Sequence, residues 1–332
     1  MVALSRTEDQ LAAALKVVGE SDASVIEKAE MLMEIAMGLQ QRPKEADDLL
    51  AAIELYEQAI HQCGDQDALL TARIRARMAT ALMAIPSEIA APIEQARDLL
   101  KQAISVLAEG GSGEELAEAE MNLGLALQTL AGAGMARITD AISAYQRSLR
   151  TFNKLRHPRE YAILNNNLAT AFLSVPITSD SGKISEALAV QSFEEGLSAV
   201  NLIDQPMEYA MLQNNLGNAL QYASSSHRVE NGFRALEAYD EALKVRQRDN
   251  TPLEYANTIA NKANCLCNLP DDPQDGEAGN PRNIAQAIKL LREAREIFAA
   301  SGAQDRAESA AQTIIELEMA VRGEPSRANG GF

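Results

Sequence analysis

An all-α fold, an α-solenoid of about six helical hairpins with a capping helix at each end, is what this sequence predicts, and three observations predict it. The first is composition: 332 residues with only 19 Gly and 11 Pro, no Trp, 46% hydrophobic but 4% aromatic residues. Abundant Ala, Leu, Glu and Gln favour helix, and a scarcity of rings suits many close helix crossings better than one large core. The second is a recurring segment: HPREYAILNNNLATAF from His157, QPMEYAMLQNNLGNAL from Gln205 and TPLEYANTIANKANCL from Thr251, with Glu160, Glu208 and Glu254 spaced 48 and 46 residues apart. The third is a second helical pattern after each copy, in which a small residue, a large one four later and a small one three beyond share one helix face.

Taken in chain order, Thr7-x-x-Gln10 opens a short helix ending at Gly19, so residues 1–24 read as an N-terminal cap of the array. Ser24-x-x-Glu27 is a second capping box and opens the array itself, residues 25–304. EKAEMLMEIAMGL, LLTARIRARMATAL and EELAEAEMNLGLAL are earlier, fainter copies of the first-helix segment. They place one small residue per unit in register: Ala36, Ala79, Gly124, Ala169, Gly217 and Ala263. The second helices carry Ala52/Tyr56/Ala59, Ala96/Leu100/Ala103, Ala141/Tyr145/Ser148, Ala189/Phe193/Gly196, Ala235/Tyr239/Ala242 and Ala287/Leu291/Ala294. Small residues admit a neighbouring helix, and the large one fills the gap between them. Thr251-Pro252-Leu253-Glu254 combines a capping Thr, a Pro at the first helical position and a Glu that reaches back. Longer loops are expected at 175–185, 223–232 and 269–283, the last containing acidic DDPQDGEAGNP without the ligand spacing of a calcium loop. Residues 305–321 form a closing helix, because an end repeat otherwise exposes its apolar face, and residues 322–332 are an expected disordered tail.

NNLGNAL at 214–220 and Ala235-x-x-x-Tyr239-x-x-Ala242 resemble the two helix cores of the tetratricopeptide repeat (TPR) family, and the resemblance covers roughly residues 25 to 300. HPREYAILNNNLATAF resembles the long-helix variety found in kinesin light chains. The resemblance implies a right-handed solenoid whose first helices line a concave groove. Two departures stand out. The period is 43 to 52 residues, and the family's tryptophan position holds Leu32, Arg75, Glu120, Asn165, Gln213 and Ile259.

Thirty Lys+Arg against 47 Asp+Glu give a formal net charge of −17. Such a surface repels phosphate backbones and anionic headgroups, so neither nucleic acid nor membrane is an expected partner, whereas basic or apolar protein segments are. Polar residues break every apolar stretch short of the ~20 residues a membrane span needs, and no signal-peptide pattern opens the chain. Cys63, Cys265 and Cys267 form no disulfide framework. A cytoplasmic protein is expected. Cys265-x-Cys267 does not share a helix face and has no second pair, so no metal or cofactor is expected. The histidines, His61, His157 and His227, are dispersed through different units and belong to no catalytic motif, so the expectation is a non-enzyme with no catalytic residues.

The candidate binding residues lie on the first helices. Asn122, Asn167, Asn215 and Asn261 occupy one equivalent site; Asn166 and Asn214 precede two of them, while Asn218 and Asn264 follow one turn on and Asn257 lies one turn earlier. An amide donates and accepts at once, and the resemblance implies that such residues grip the main chain of a bound peptide. The alternative for the recurring site is a bond between neighbouring helices. Asn166, Asn214, Asn218 and Asn264 are expected to project further into the groove. Arg73 and Arg77, four apart on one helix, suit either anion capture or salt bridges to neighbouring units, whose equivalent sites hold Glu30, Glu118 and Glu34. Met33 and Met37 fall on the groove side, as adaptable apolar contacts or as core filler. Lys262 occupies the site that Leu168 and Leu216 fill in earlier units, which requires a shifted helix or a snorkelling side chain. The function expected is a protein–protein interaction scaffold, an adaptor or assembly factor holding a peptide or partner helix in its groove. A ligand- or peptide-sensing regulator is the alternative.

Overall fold

The structure, a computed structural model, describes residues 6–41, 43, 46–64, 66–87, 89–176, 180–224, 227–272, 274–275 and 279–322. Among the described residues it is all-helical. The chain forms two compact units, Met1–Asn153 and Lys154–Phe332. The division falls inside the stretch expected as one array.

The first unit holds α1 (Arg6–Glu20), α2 (Val25–Gln41), α3 (Ala46–Cys63), α4 (Ala68–Ala84), α5 (Ala91–Gly110), α6 (Gly113–Gly132) and α7 (Ile138–Ser148). Helices α2/α3, α4/α5 and α6/α7 pair as hairpins, α2 touches α4 and α4 touches α6, and α1 covers α2 and α3. The second unit holds α8 (Pro158–Leu173), α9 (Asp180–Leu197), α10 (Pro206–Tyr222), α11 (Arg228–Leu243), α12 (Pro252–Leu266), α13 (Pro281–Ala300) and α14 (Gln304–Arg322). Here α8/α9, α10/α11 and α12/α13 are the hairpins, first helix again touches first helix, and α14 closes against α13. In each unit every hairpin contacts its neighbours in sequence, which is α-solenoid packing. Of the expected tail, residues from 323 on lie outside the described set.

The repeat register accounts for the core. Ala36, Ala79, Ala169 and Ala263 are wholly buried, and the large second-helix residues Tyr56, Leu100, Tyr145, Phe193, Tyr239 and Leu291 are buried too. Ties repeat with the register. Tyr56, Tyr145 and Tyr239 donate to Gln40, Gln128 and Gln221 (each 2.8 Å), and Tyr161, Tyr209 and Tyr255 reach Glu195, Glu241 and Glu293 on the second helix of their own hairpin. At the family's tryptophan position, Leu32 and Ile259 are buried, while Glu120 is buried with a two-pronged bridge from Arg147 (2.7 and 2.6 Å).

The helix ends follow side-chain chemistry. Ser24 and Glu27 form the expected reciprocal box (2.8 and 3.3 Å). Thr7, by contrast, lies inside α1, which already begins at Arg6. Past α6 and α13, Gly134 and Gly302 take positive φ (72° and 75°), so that Met135 N–H reaches Leu130 O and Ala303 N–H reaches Phe298 O, each closing a Schellman turn. Thr251 departs from expectation: its hydroxyl bonds the preceding turn at Gln247 and leaves α12 without a side-chain cap, while Pro252 does occupy the first turn. Two of the expected loops are shorter than read from sequence, since α9 begins at Asp180 and α11 at Arg228. In the third, Asp271 reaches across to cap α13, accepting from the backbone N–H of Arg282 (2.9 Å) and Asn283 (2.8 Å).

The sixth hairpin replaces apolar contacts with polar ones. Val200 and Leu212 share a buried cluster, and the sites equivalent to them hold Arg246 and Thr258, whose Nη1 and Oγ1 are 2.9 Å apart. Burial lowers the Arg246 pKa, Glu254 opposing it. Lys262 snorkels to an ion pair with Asp240 on α11, which settles its place without a helix shift. Thr258→Leu alone should cost about 2 kcal/mol, because it strands a largely buried guanidinium. Adding Arg246→Val, which rebuilds the apolar pair of the preceding hairpin, should restore stability to the wild-type level or above it. Thermal melts of the two variants check this; a double variant no better than the single would refute the pairing.

Candidate functional site

In the first unit the exposed faces of three first helices converge. Met33 and Met37 are four apart on α2. On α4, Arg73, Ala76, Arg77 and Thr80 follow the helical repeat, as do Glu115, Glu118, Ala119 and Asn122 on α6. With Glu34 and Leu107 they line a cavity of about 180 Å³. Leu107, Ala76, Ala119 and the two methionines give it an apolar lining, and carboxylates and guanidinium groups stand around it.

The arginines are already engaged. Arg73 grips Glu115 with two bonds (2.6 and 3.3 Å), and Arg77 reaches Glu118 at 3.4 Å. Inter-unit bridging, one of the two sequence readings, is therefore present, but Arg73 takes Glu115 rather than Glu30 or Glu118, and Arg77 takes Glu118 rather than Glu34. Both pairs are displaced by three or four residues, which is one turn: neighbouring first helices are staggered axially. Glu115 also completes a capping box on α6, accepting from Ser112 N–H (2.8 Å) while Ser112 Oγ accepts from Glu115 N–H (3.1 Å). The Arg73 guanidinium first, then the Ser112 N–H, hold the Glu115 carboxyl below its usual range against burial. Arg73 is correspondingly raised, with Glu115 as the first cause. The Ser112-x-x-Glu115 pattern was legible in the sequence and is the signal that would have found this residue.

The second unit orders its asparagines differently. Asn261 donates to Asn214 Oδ1 (3.2 Å), Asn214 to Asn215 Oδ1 (3.0 Å), Asn215 to Asn166 Oδ1 (2.8 Å) and Asn166 to Asn167 Oδ1 (3.2 Å). One amide chain thus ties α12 to α10 and α10 to α8. Asn166 and Asn214 are buried, so the expectation that they project into the groove is corrected: each accepts from the neighbouring first helix and donates to the adjacent asparagine of its own helix. Asn218 Oδ1 shares the hydrogen of the Tyr239 hydroxyl with Gln221 (2.7 and 2.8 Å) and is held within its hairpin. Asn257 and Asn264 do reach an open recess of about 280 Å³, lined also by Asn261, Ser309 and Thr313, where Arg306 of α14 donates to Asn257 (3.0 Å). The contribution of α14 to this recess was not anticipated.

Among the described residues no group of three or more His, Cys, Asp or Glu could hold a metal ion, and no helix is long and apolar enough to cross a membrane. Cys265 is buried, donates to Gly232 O (3.3 Å), and burial pushes its thiol up to about 12, with Cys267 adding to the shift.

No protein-family model matches the chain, and no curated protein matches it in sequence. Solved structures similar to it include a Rap protein complexed with competence and sporulation factor (12% identity, 96% of this chain and 81% of that one, TM-score 0.44). A complex of the TPR2AB domain of yeast Sti1 with pHSP90 is similar at 16% identity over 88% of this chain and 99% of that one, TM-score 0.29. The APC/C hetero-tetramer Cut9–Hcn1 is similar at 14% identity over 98% of this chain and 55% of that one, TM-score 0.43.

Proposed function

We propose that this chain is a protein-interaction module, an adaptor or assembly factor, that seats a segment of a partner protein on its first-helix faces and anchors it in the α2–α4–α6 cavity. The observation that carries this reading is the convergence of Met33, Met37, Ala76 and Leu107 with a charged surround on three successive hairpins. Methionines adapt to apolar side chains of different shape. The cavity is lined by three carboxylates, Glu34, Glu115 and Glu118, against two guanidinium groups already bonded to two of them. An entering carboxylate would have to displace Glu115 from a two-pronged bridge and a helix cap. An entering Lys or Arg needs no displacement to meet Glu34. A segment with an apolar anchor beside a basic residue is therefore the partner favoured, in keeping with the net charge of −17.

Affinity capture from lysate of the source cell, wild type beside Met33→Glu/Met37→Glu, tests this with mass spectrometry and melting curves on both. Both methionines are half-buried, so the folded state should survive. A partner held by the wild type and reduced at least about tenfold in the double variant is the expected result. A partner retained equally by both places binding elsewhere on the chain.

A further inference from the structure

The groove face of α2 carries a charge pattern that its own chain leaves unanswered. Glu30, Met33, Glu34 and Met37 stand at i, i+3, i+4 and i+7, which is one continuous face of a helix. Met33, Glu34 and Met37 line the α2–α4–α6 cavity. Glu30 lies one turn further along, close enough for its charge to act on Arg73 of α4. Both glutamates are exposed and both methionines half-buried. Gly38 continues the face past Glu34, and a Cβ built there would meet nothing within 4 Å. Like charges four apart on a helix repel, and a base three or four residues away is the usual relief. Those positions hold Ile26, Glu27, Met31, Met33, Met37 and Gly38, so α2 supplies none.

The arginines of α4 do not fill the gap. Arg73 is bonded to Glu115 and Arg77 to Glu118, both on α6. Neither Glu30 nor Glu34 makes a hydrogen bond or ion pair among the described residues. Glu30, Glu34, Glu115 and Glu118 thus surround two guanidinium groups, and the excess negative charge lies on the α2 side. Beside it is an apolar seat of about 180 Å³, room for one side chain. We propose, resting on the reading of this cavity as an anchoring site, that the α2 face is read by an amphipathic helix of a partner protein with basic residues at i and i+4 and apolar ones at i+3 and i+7. That pattern is the complement of the acids and methionines of α2. Spacing selects a helix. Glu30 and Glu34 are about 6 Å apart along the α2 axis. Bases four apart on a helix match that rise and leave an apolar residue between them on the same face. An extended strand with bases two apart matches the distance but turns the residue between them to the opposite side. Opposite charge across the contact then sets the register.

The test uses the whole chain and labelled Ala-based synthetic peptides, followed by fluorescence anisotropy. One carries Lys at i and i+4 with Leu at i+3 and i+7, a second has Glu in place of Lys, and a third is the Lys peptide with a central Pro, which breaks the helical face. The Lys helix should bind saturably and at least about tenfold more tightly than the other two, its advantage over the Glu helix shrinking at high salt. Glu30→Gln/Glu34→Gln, which changes only exposed groups, should weaken it about tenfold and flatten its salt dependence. Met33→Ser/Met37→Ser should weaken it as well, with the salt dependence kept. Equal binding of the Lys and Glu helices, equal binding of the Lys and Pro peptides, or an unaffected Glu30→Gln/Glu34→Gln variant would each overturn the proposal. Loss in Met33→Ser/Met37→Ser alone would keep the cavity as the anchor and remove only the basic helix. Full binding by both variants would remove the anchoring role of the cavity too.

Discussion

Gly217→Ala should destabilise the second unit by about 2 kcal/mol, although alanine is the better helix former. A Cβ at Gly217 would stand 2.6 Å from Cε1 and 2.8 Å from Cζ of Tyr239. The ring cannot step aside cheaply, because the one hydrogen of its hydroxyl is shared between Asn218 Oδ1 (2.7 Å) and Gln221 Oε1 (2.8 Å) on the same helix as the glycine. Helix propensity returns about 1 kcal/mol. Overpacking costs about 1–3 kcal/mol, and displacing the phenol forfeits the one hydrogen bond its hydroxyl donates, about 1 kcal/mol. The clash wins. Gly124 faces the same situation, its added Cβ lying 2.5 Å from Tyr145 Cε1. The second hairpin shows the remedy: there alanine and leucine, Ala79 and Leu100, are both wholly buried at the two equivalent sites. Tyr239→Leu added to Gly217→Ala should therefore recover part of the loss, and urea unfolding of the two singles and the double measures the coupling. Additive effects would show that glycine and ring are not matched. The first hairpin holds both Ala36 and Tyr56 buried, so the pairing is a property of each hairpin's own helix separation rather than of the repeat.

That last point marks how far the sequence could be read. Which residues are buried at each repeat position followed from periodicity, because each unit of a solenoid meets much the same neighbours, and the register from Ala36 to Ala263 and the closing helix were legible for that reason. What one unit does to the next was less legible. The one-turn stagger that hands Arg73 to Glu115 depends on how two helices cross, and no local pattern encodes it. Thr251 looked like a cap by composition, yet Gln247 in the preceding turn competes for its hydroxyl, a contest that only the folded loop decides. Lys262 and Arg246 were placed by single partners, Asp240 and Thr258, from a different helix or loop. Of the candidate site, Met33, Met37, Arg73 and Arg77 do line one cavity, since i, i+4 spacing sets their faces directly. The asparagines were harder, because adjacent residues on a helix differ by about 100° in direction and the crossing angle decides which of the two faces the neighbour.

The amide chain gives the sharper consequence. Asn214→Leu should cost about 2 kcal/mol, and more than Asn261→Leu, because position in the chain sets the number of groups stranded. Asn214 donates to Asn215 and accepts from Asn261 (3.0 and 3.2 Å), so its loss leaves an acceptor on α10 and a donor on α12 together without partners. Asn261, at the chain's end, makes one of these bonds, and its removal leaves a single acceptor stranded at about 1 kcal/mol. Each stranded buried group costs about 1–3 kcal/mol, discounted here because Asn215 and Asn261 are half-buried and can find water. Linked amides also polarise one another, so an interior break should weaken the flanking Asn215–Asn166 bond as well. Equilibrium unfolding of Asn214→Leu, Asn261→Leu and the double variant measures the order directly, and the double should cost little more than Asn214→Leu because the shared bond is lost only once. Equal losses from the two singles would mean that the carboxamides act as isolated pairs. The same ordering bears on function. Substituting Asn166 or Asn214 would disturb the packing of α8, α10 and α12 before it touched any ligand, so a loss of binding in such variants would report on the scaffold. Asn257 and Asn264, which open on the α12–α14 recess, are the amides whose substitution reads out contact in this unit.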